Sequence, residues 1–168
     1  MPIVSGNLDK LLTGGASNSD PNLSIGGDVS TTELVNNAKN NLFDLVSAQE
    51  AEDGMTDYRC EALKNAHASL TYKGAKVWVR QNTTSGDTAV SIGASAQGIN
   101  SAPTAISDDS TAPTGVTFTA PATEAAAISI GDIPQGQYFC YWTKRVVDSG
   151  ALAAADQYQI EVIGETDA

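Results

Sequence analysis

A lone histidine, two distant cysteines and a few acidic clusters are the residues of this chain whose types could do chemistry. His67 sits in NAHASLT with no cysteine or second histidine beside it. A general base needs a nucleophile to serve or a third group to orient it. Neither stands nearby in the sequence, so a loop position or a structural hydrogen bond is the expectation for His67. Serines are abundant, but there is no G-x-S-x-G elbow. The phosphate loop G-x-x-x-x-G-K-[ST] and the dinucleotide fingerprint G-x-G-x-x-G are also missing. Cys60 and Cys140 lie 80 residues apart without CxxC spacing, which does not make a zinc site. Glu50, Glu52, Asp53 and Asp57 surround Gly54, and Asp108-Asp109 fall in a loop. Calcium favours such oxygens, yet the spacing fits no EF-hand loop, and solvated acidic turns are the expectation. With no nucleophile–base pair and no metal constellation, the chain reads as a non-enzymatic protein without a catalytic set or cofactor.

The cations are less evenly spread. Seven of nine lie between Arg59 and Arg145. In GAKVWVRQN the alternation puts Val77 and Val79 on one strand face, and Lys76, Trp78 and Arg80 on the other. Trp142 and Lys144 alternate together in the same way. If the two strands are neighbours, one sheet face carries two tryptophans and several cations. That is either a protein-binding patch, since Trp and Arg are enriched at contact hot spots, or long amphipathic side chains covering a sheet.

These side chains need elements to carry them. The chain has 168 residues, enough for one domain plus an extension, and 41% hydrophobic content is enough for a core. Its net charge of −11 disfavours nonspecific nucleic-acid binding. No 18-residue apolar run is long enough to span a membrane. The start, MPIVSGNLDK, shows no secretory signal, so a reducing cytosol is expected, with the sequons at Asn22 and Asn82 accidental. Residues 1–40 read as an extended arm: Gly14-Gly15, Asp20-Pro21 and Gly26-Gly27 break any periodicity. Its occasional anchors are Leu23, Ile25, Leu34 and Val35. Leu42–Val46 fits a short strand or a helical turn, and residues 48–52 lean helical. From Thr56 onward the pattern is β, in TDYRCEALKN, GAKVWVRQN, TAVSIGA, GVTFTA, AISIG, QYFCYWTKRVV and QYQIEVIG, separated by Gly, Pro and Asp turns. Seven or eight short strands predict an all-β, antiparallel β-sandwich over residues 41–168, preceded by the arm.

A Tyr two residues before Cys140, an early Cys60 and Trp78 between them outline an immunoglobulin-like sandwich. The Cys60–Trp78 spacing is long for that pattern, and the alternation turns Trp78 outward, towards a partner. The two cysteines either form a bridge or stand as buried free thiols; a reducing compartment favours the thiols.

The runs GGASNSDPNLSIGGDVSTTE, NNLFDLVSAQEAEDGMTDYRCEALKNAH and TAPTGVTFTAPATEAAAISIGDIPQGQYFCYWTKRVV resemble small virion structural proteins of tailed bacteriophages. The sub-motifs that carry the likeness are NLFDLVS, the G-x-T-x-Y-R-C of Gly54–Cys60, and IGDIPQGQ at Ile130–Gln137; together the runs cover most of residues 12–165. Phe139-Cys140-Tyr141 is less aliphatic than the corresponding strand of such proteins.

The resemblance implies a capsid decoration, or cement, protein. Such a protein is made in the host cytoplasm and sits on the outer surface of the virion head. There it would bind the major capsid protein, brace capsomer junctions, and assemble as a dimer or trimer. An arm would make sense only with such a partner, because ordering it alone costs about 1–2 kcal/mol per residue. The arm anchors together with Trp78, Arg80 and Trp142 are the expected contacts. Two alternatives stand beside this: a tail, neck or baseplate component, and a carbohydrate- or host-surface-binding module using outward Trp78, Tyr141 and Trp142.

Overall fold

The computed structural model describes residues 2–166. Seven strands form two antiparallel sheets. They are β1 (Leu8–Leu12), β2 (Met55–Asn65), β3 (Tyr72–Gln81), β4 (Thr88–Ala94), β5 (Ile128–Ile133), β6 (Tyr138–Val147) and β7 (Gln159–Thr166). One sheet runs β1-β2-β6-β4 and the other β5-β3-β7. Among the described residues the single α-helix, α1 (Ala48–Asp53), is 6 residues long. It opens on a capping box in which Ser47 Oγ accepts from the Glu50 amide and the Glu50 carboxylate accepts from the Ser47 amide.

Period-2 alternation decides which side chains meet between the sheets. Leu63, Ile92, Phe139 and Tyr141 from the four-stranded sheet pack on Tyr72, Ala75, Val77, Val79 and Ile133. The other face of the four-stranded sheet is apolar as well: Leu11, Cys60, Ala62, Cys140 and Trp142 are all buried there. A sheet apolar on both faces needs a second cover. Val29, Ile106, Val116 and Phe118 supply it, from two long irregular segments, 13–34 and 95–119. Taking each large side chain out of water contributes roughly 1.5–3 kcal/mol, which offsets the cost of ordering chain that has no ladder of its own.

Four expectations are corrected. Residues 1–40 are not a free arm. Leu8–Leu12 pairs with Glu61–Asn65 as β1, and residues 30–34 add to its outer edge through Ser30 N to Leu12 O (2.9 Å), Leu12 N to Thr32 O (3.0 Å) and Leu34 N to Lys10 O (2.8 Å). The immunoglobulin order is not present. A seven-strand domain of that type pairs its fifth strand with its second and its sixth with its third, whereas here β6 lies between β2 and β4, and β5 pairs β3. Cys60 and Cys140 consequently sit on adjacent strands of one sheet, not across the sandwich, and both are free. GVTFTA forms no strand: residues 115–120 pair with β4 only at the Ile92–Thr119 bridge, and Val116 and Phe118 are spent on the cover. Leu42–Val46 is irregular, with Leu42 and Phe43 buried.

Candidate interaction surface

The covering segments are sewn to the sheet by small polar side chains. Where β1 ends, the Cys60 and Tyr58 amides donate instead to Ser24 O (2.6 Å) and Asp109 O (2.8 Å), so both covers extend the same edge of β2. Beneath them, Ser24 Oγ accepts from the Thr13 amide (2.8 Å) and donates to Cys60 O (2.6 Å), while Thr13 Oγ1 accepts from the Gly26 amide (3.1 Å). Thr13 and Ser24 are fully buried; these bonds satisfy groups that would otherwise be costly to bury. The two covers also grip each other through Ile106 N to Ile25 O (3.0 Å) and Gly27 N to Pro103 O (2.8 Å). Gly26 has φ +92°, and a Cβ there would lie 2.7 Å from Thr104 O, so only glycine fits the crossing.

At one end of the intersheet space the side chains become charged. Arg145 binds Asp57 twice, through Nε (3.1 Å) and Nη2 (2.7 Å), and reaches Asp44 through its carbonyl (2.8 Å) and carboxylate (3.3 Å). Fully buried Arg59 pairs with Asp109 at 3.0 Å and donates to Asn22 Oδ1 at 3.2 Å. The Phe43 ring stands between the two guanidiniums, 4.7 Å from Arg145 and 5.6 Å from Arg59, with the Tyr158 ring edge-on to it at 6.2 Å. Burial pushes the Asp57 carboxyl up from its ordinary value, against the pull of Arg145. Further along β2, Glu61 is buried and accepts from Tyr141 Oη (3.1 Å) and Thr143 Oγ1 (2.8 Å); burial raises its pKa too, against Lys10 and those two donors. Burial, then the Glu61 charge, raises Tyr141 well above the usual phenol.

The residues singled out for chemistry are occupied elsewhere. His67 Nδ1 accepts from the Ser69 (3.1 Å) and Leu70 (3.0 Å) amides and holds a turn. Glu50 caps α1, Asp57 serves Arg145, and Asp108 accepts from Ser107, Ser110 and Thr111 hydroxyls. Among the described residues no group of three or more His, Cys, Asp or Glu side chains could hold a metal ion.

The expected contact residues separate into two sets. Leu23 and Val35 are 56% and 66% exposed. Ile25 and Leu34 are half-buried and serve the internal stitching just described. Trp78 and Trp142, expected to face outward, are only 6% and 1% exposed. Trp142 belongs to the core beneath the covers and only lines the floor of a shallow cleft of about 180 Å³ near Thr104 and Thr114. Trp78 does stand beside Lys76 and Arg80 in the alternation, opposite Glu161 of β7, but is enclosed there. Arg80 is exposed and bound to Glu161 at 3.1 Å. Trp78 and Trp142 lie in different sheets, so the two-tryptophan face does not form. Sequence reasoning missed Leu45 and Leu152, 75% and 80% exposed. Leu152 stands among alanines, whereas Leu45 lies in the apolar run NLFDLVS with Leu42, Phe43 and Val46, where the sequence carries no signal of its exposure.

No protein-family model, curated protein or solved structure matches the chain.

Proposed function

We propose that this protein is a non-enzymatic structural component of a tailed-bacteriophage particle, most simply a capsid decoration protein that binds the major capsid protein on the outside of the head. The observation that carries this reading is the exposure of Leu23, Val35 and Leu45 along one N-terminal stretch in which Leu42 and Phe43 are buried and Ile25, Val29 and Leu34 are half-buried. Exposed large apolar side chains on a surface otherwise rich in small polar residues mark contact sites. Many copies on a symmetric shell turn a modest contact into high avidity. The likeness of NLFDLVS, GMTDYRC and IGDIPQGQ to virion proteins supports the same reading. So does an acidic surface, which does not adhere to DNA. What the arm was expected to do falls, in this reading, to a segment already seated on the body and needing little further ordering on binding.

The test is co-sedimentation with expanded heads lacking the protein. Deleting residues 2–40 would remove β1 and half of the cover, so the informative variant is Leu23→Ser/Val35→Ser/Leu45→Ser. Saturable binding by the native chain, weakened at least about tenfold in the variant, is the expected result. Binding to isolated tails or baseplates and not to heads would move the protein to the tail. With Trp78 and Trp142 enclosed, only Tyr141 of the three proposed sugar-stacking rings remains, and it is buried; the glycan-binding alternative has no ring face left to use.

A further inference from the structure

The four sheet edges are not treated alike. The outer edge of β1 is paired by residues 30–34. That of β4 is closed by Thr119, which exchanges both backbone hydrogen bonds with Ile92 (2.8 and 2.9 Å), and by Asn82, whose amide side chain bonds both Val90 N (2.8 Å) and Val90 O (2.7 Å). The β5-β3-β7 sheet has no such closure. β5 protects itself by geometry. Between Ala75↔Gly131 and Lys76↔Ser129 it carries one more residue than β3, a bulge at Ile130-Gly131 with Gly131 at φ +91°. A bulge twists an edge away from further pairing. β7 has no bulge of its own: the extra residues between Lys73 and Lys76, and between Val79 and Gln81, are on β3. From Glu161 to Thr166 its outer main chain has no partner among the described residues; at Ile160 the carbonyl receives Lys10 Nζ at 3.3 Å. β7 also holds no lysine or proline, the usual edge guards.

We infer that β7 is a homodimer interface, on which a second copy's β7 adds antiparallel and joins two three-stranded sheets into one of six. The sequence of the strand supplies the register. A two-fold axis perpendicular to the sheet must pass through a residue, because directly opposed side chains share a face. Centring on Glu161 opposes it to its own copy, and centring on Ile163 opposes Glu161 to the other copy's Glu165. Centring on Val162 places Glu161 opposite Ile163, Ile160 opposite Gly164 and Gln159 opposite Glu165, with no like charges facing. Ile163 lies on the outer face beside Lys76, so it can be changed without touching the intersheet core. The inference stands apart from the capsid reading and is tested without heads.

The experiment is analytical ultracentrifugation of the full 17.4 kDa chain and two charge variants at one position, from micromolar to about 0.5 mM. Ile163→Glu sets two Glu–Glu pairs across the dyad while gaining Lys76 as a neighbour within its own sheet. Ile163→Lys sets two Lys–Glu pairs at the same places. The native chain and Ile163→Lys are expected to dimerise, and Ile163→Glu to bind itself at least about tenfold more weakly, with unchanged circular dichroism. A native chain that stays monomeric, a trimer, or equal association of both variants overturns the inference. If Ile163→Glu does not fold, hydrogen exchange of the native chain decides: amides of 161–166 must gain protection with concentration while β5 amides do not, and the reverse overturns it.

Discussion

Glu61 is the residue that behaves least as its type predicts. It looks, in TDYRCEALKN, like an outward partner to Arg59; instead both face the space between the sheets and are buried. Tyr141 and Thr143 hydroxyls satisfy the carboxylate, but burial still disfavours its charge. The folded pKa lies above the ordinary 4.5. The associated stability is therefore fully present below the unfolded pKa and is lost as pH rises through the folded one. Glu61→Gln keeps the shape and removes that loss. Its melting temperature, followed by circular dichroism from pH 4.5 to 8, is expected to gain on the native protein as pH rises; a constant difference would show that Glu61 does not titrate in that window. The cysteines illustrate the opposite case. Both occupy apolar positions beside Trp142, and burial, with Cys140 close by, pushes the Cys60 thiol well above its usual range, which makes a poor nucleophile.

At the scale of elements, the irregular segments do work that strands do in simpler sandwiches. Residues 41–46 have no ladder, yet Phe43 is inserted between Arg59 and Arg145 while Arg145 holds Asp44. Phe43→Ala removes a buried ring and exposes two guanidiniums held against it. A loss of about 3 kcal/mol is expected in denaturant unfolding, with faster proteolysis within 35–47 than elsewhere in the chain. A second tie joins residues 148–158 to the turn between β3 and β4, where Asp156 accepts from the Thr84 and Ser85 amides and from the Thr84, Ser85 and Thr88 hydroxyls. Burial is the largest single influence and pushes its pKa up, but the hydrogen bonds from Ser85, Thr88 and Thr84 together outweigh it and hold the pKa down to about 2. A depressed carboxyl stabilises the fold above its unfolded pKa of 3.8 and ceases to as pH falls through about 2. Asp156→Ala is expected to melt below the native protein at pH 7 and level with it near pH 2, measured by scanning calorimetry.

Over the whole molecule, the four-stranded sheet is the centre and has two cores, one towards the other sheet and one under the paired covers. The covers account for the long polar, Gly- and Asn-rich opening of the chain. It has few large apolar residues because a cover needs only a few, and many small hydroxyls because it must be hydrogen-bonded to a strand edge and to its partner cover. The three-stranded sheet has no such cover on its edges, and this asymmetry leaves β7 open to a second copy.

Most of the strand positions were legible in the sequence. TAVSIGA became Thr88–Ala94, and QYFCYWTKRVV contains β6, because alternation and β-branched content are local properties that survive in any β context. The helical lean at 48–52 was legible as well, because AQEAED is rich in helix formers and follows the Ser47 cap. The sequence did not reveal β1, whose LDKLL has a pairing partner about fifty residues away, or that GVTFTA would be spent on covering a sheet. Nor did it reveal that Trp78 and Trp142 would be enclosed. Period-2 alternation says only that two side chains share a strand face; whether that face meets water, a second sheet or a folded-back loop depends on non-local contacts. Those contacts arise only when the tertiary structure brings distant segments together, and they alone decided the strand order, the second core and which edge was left unpaired.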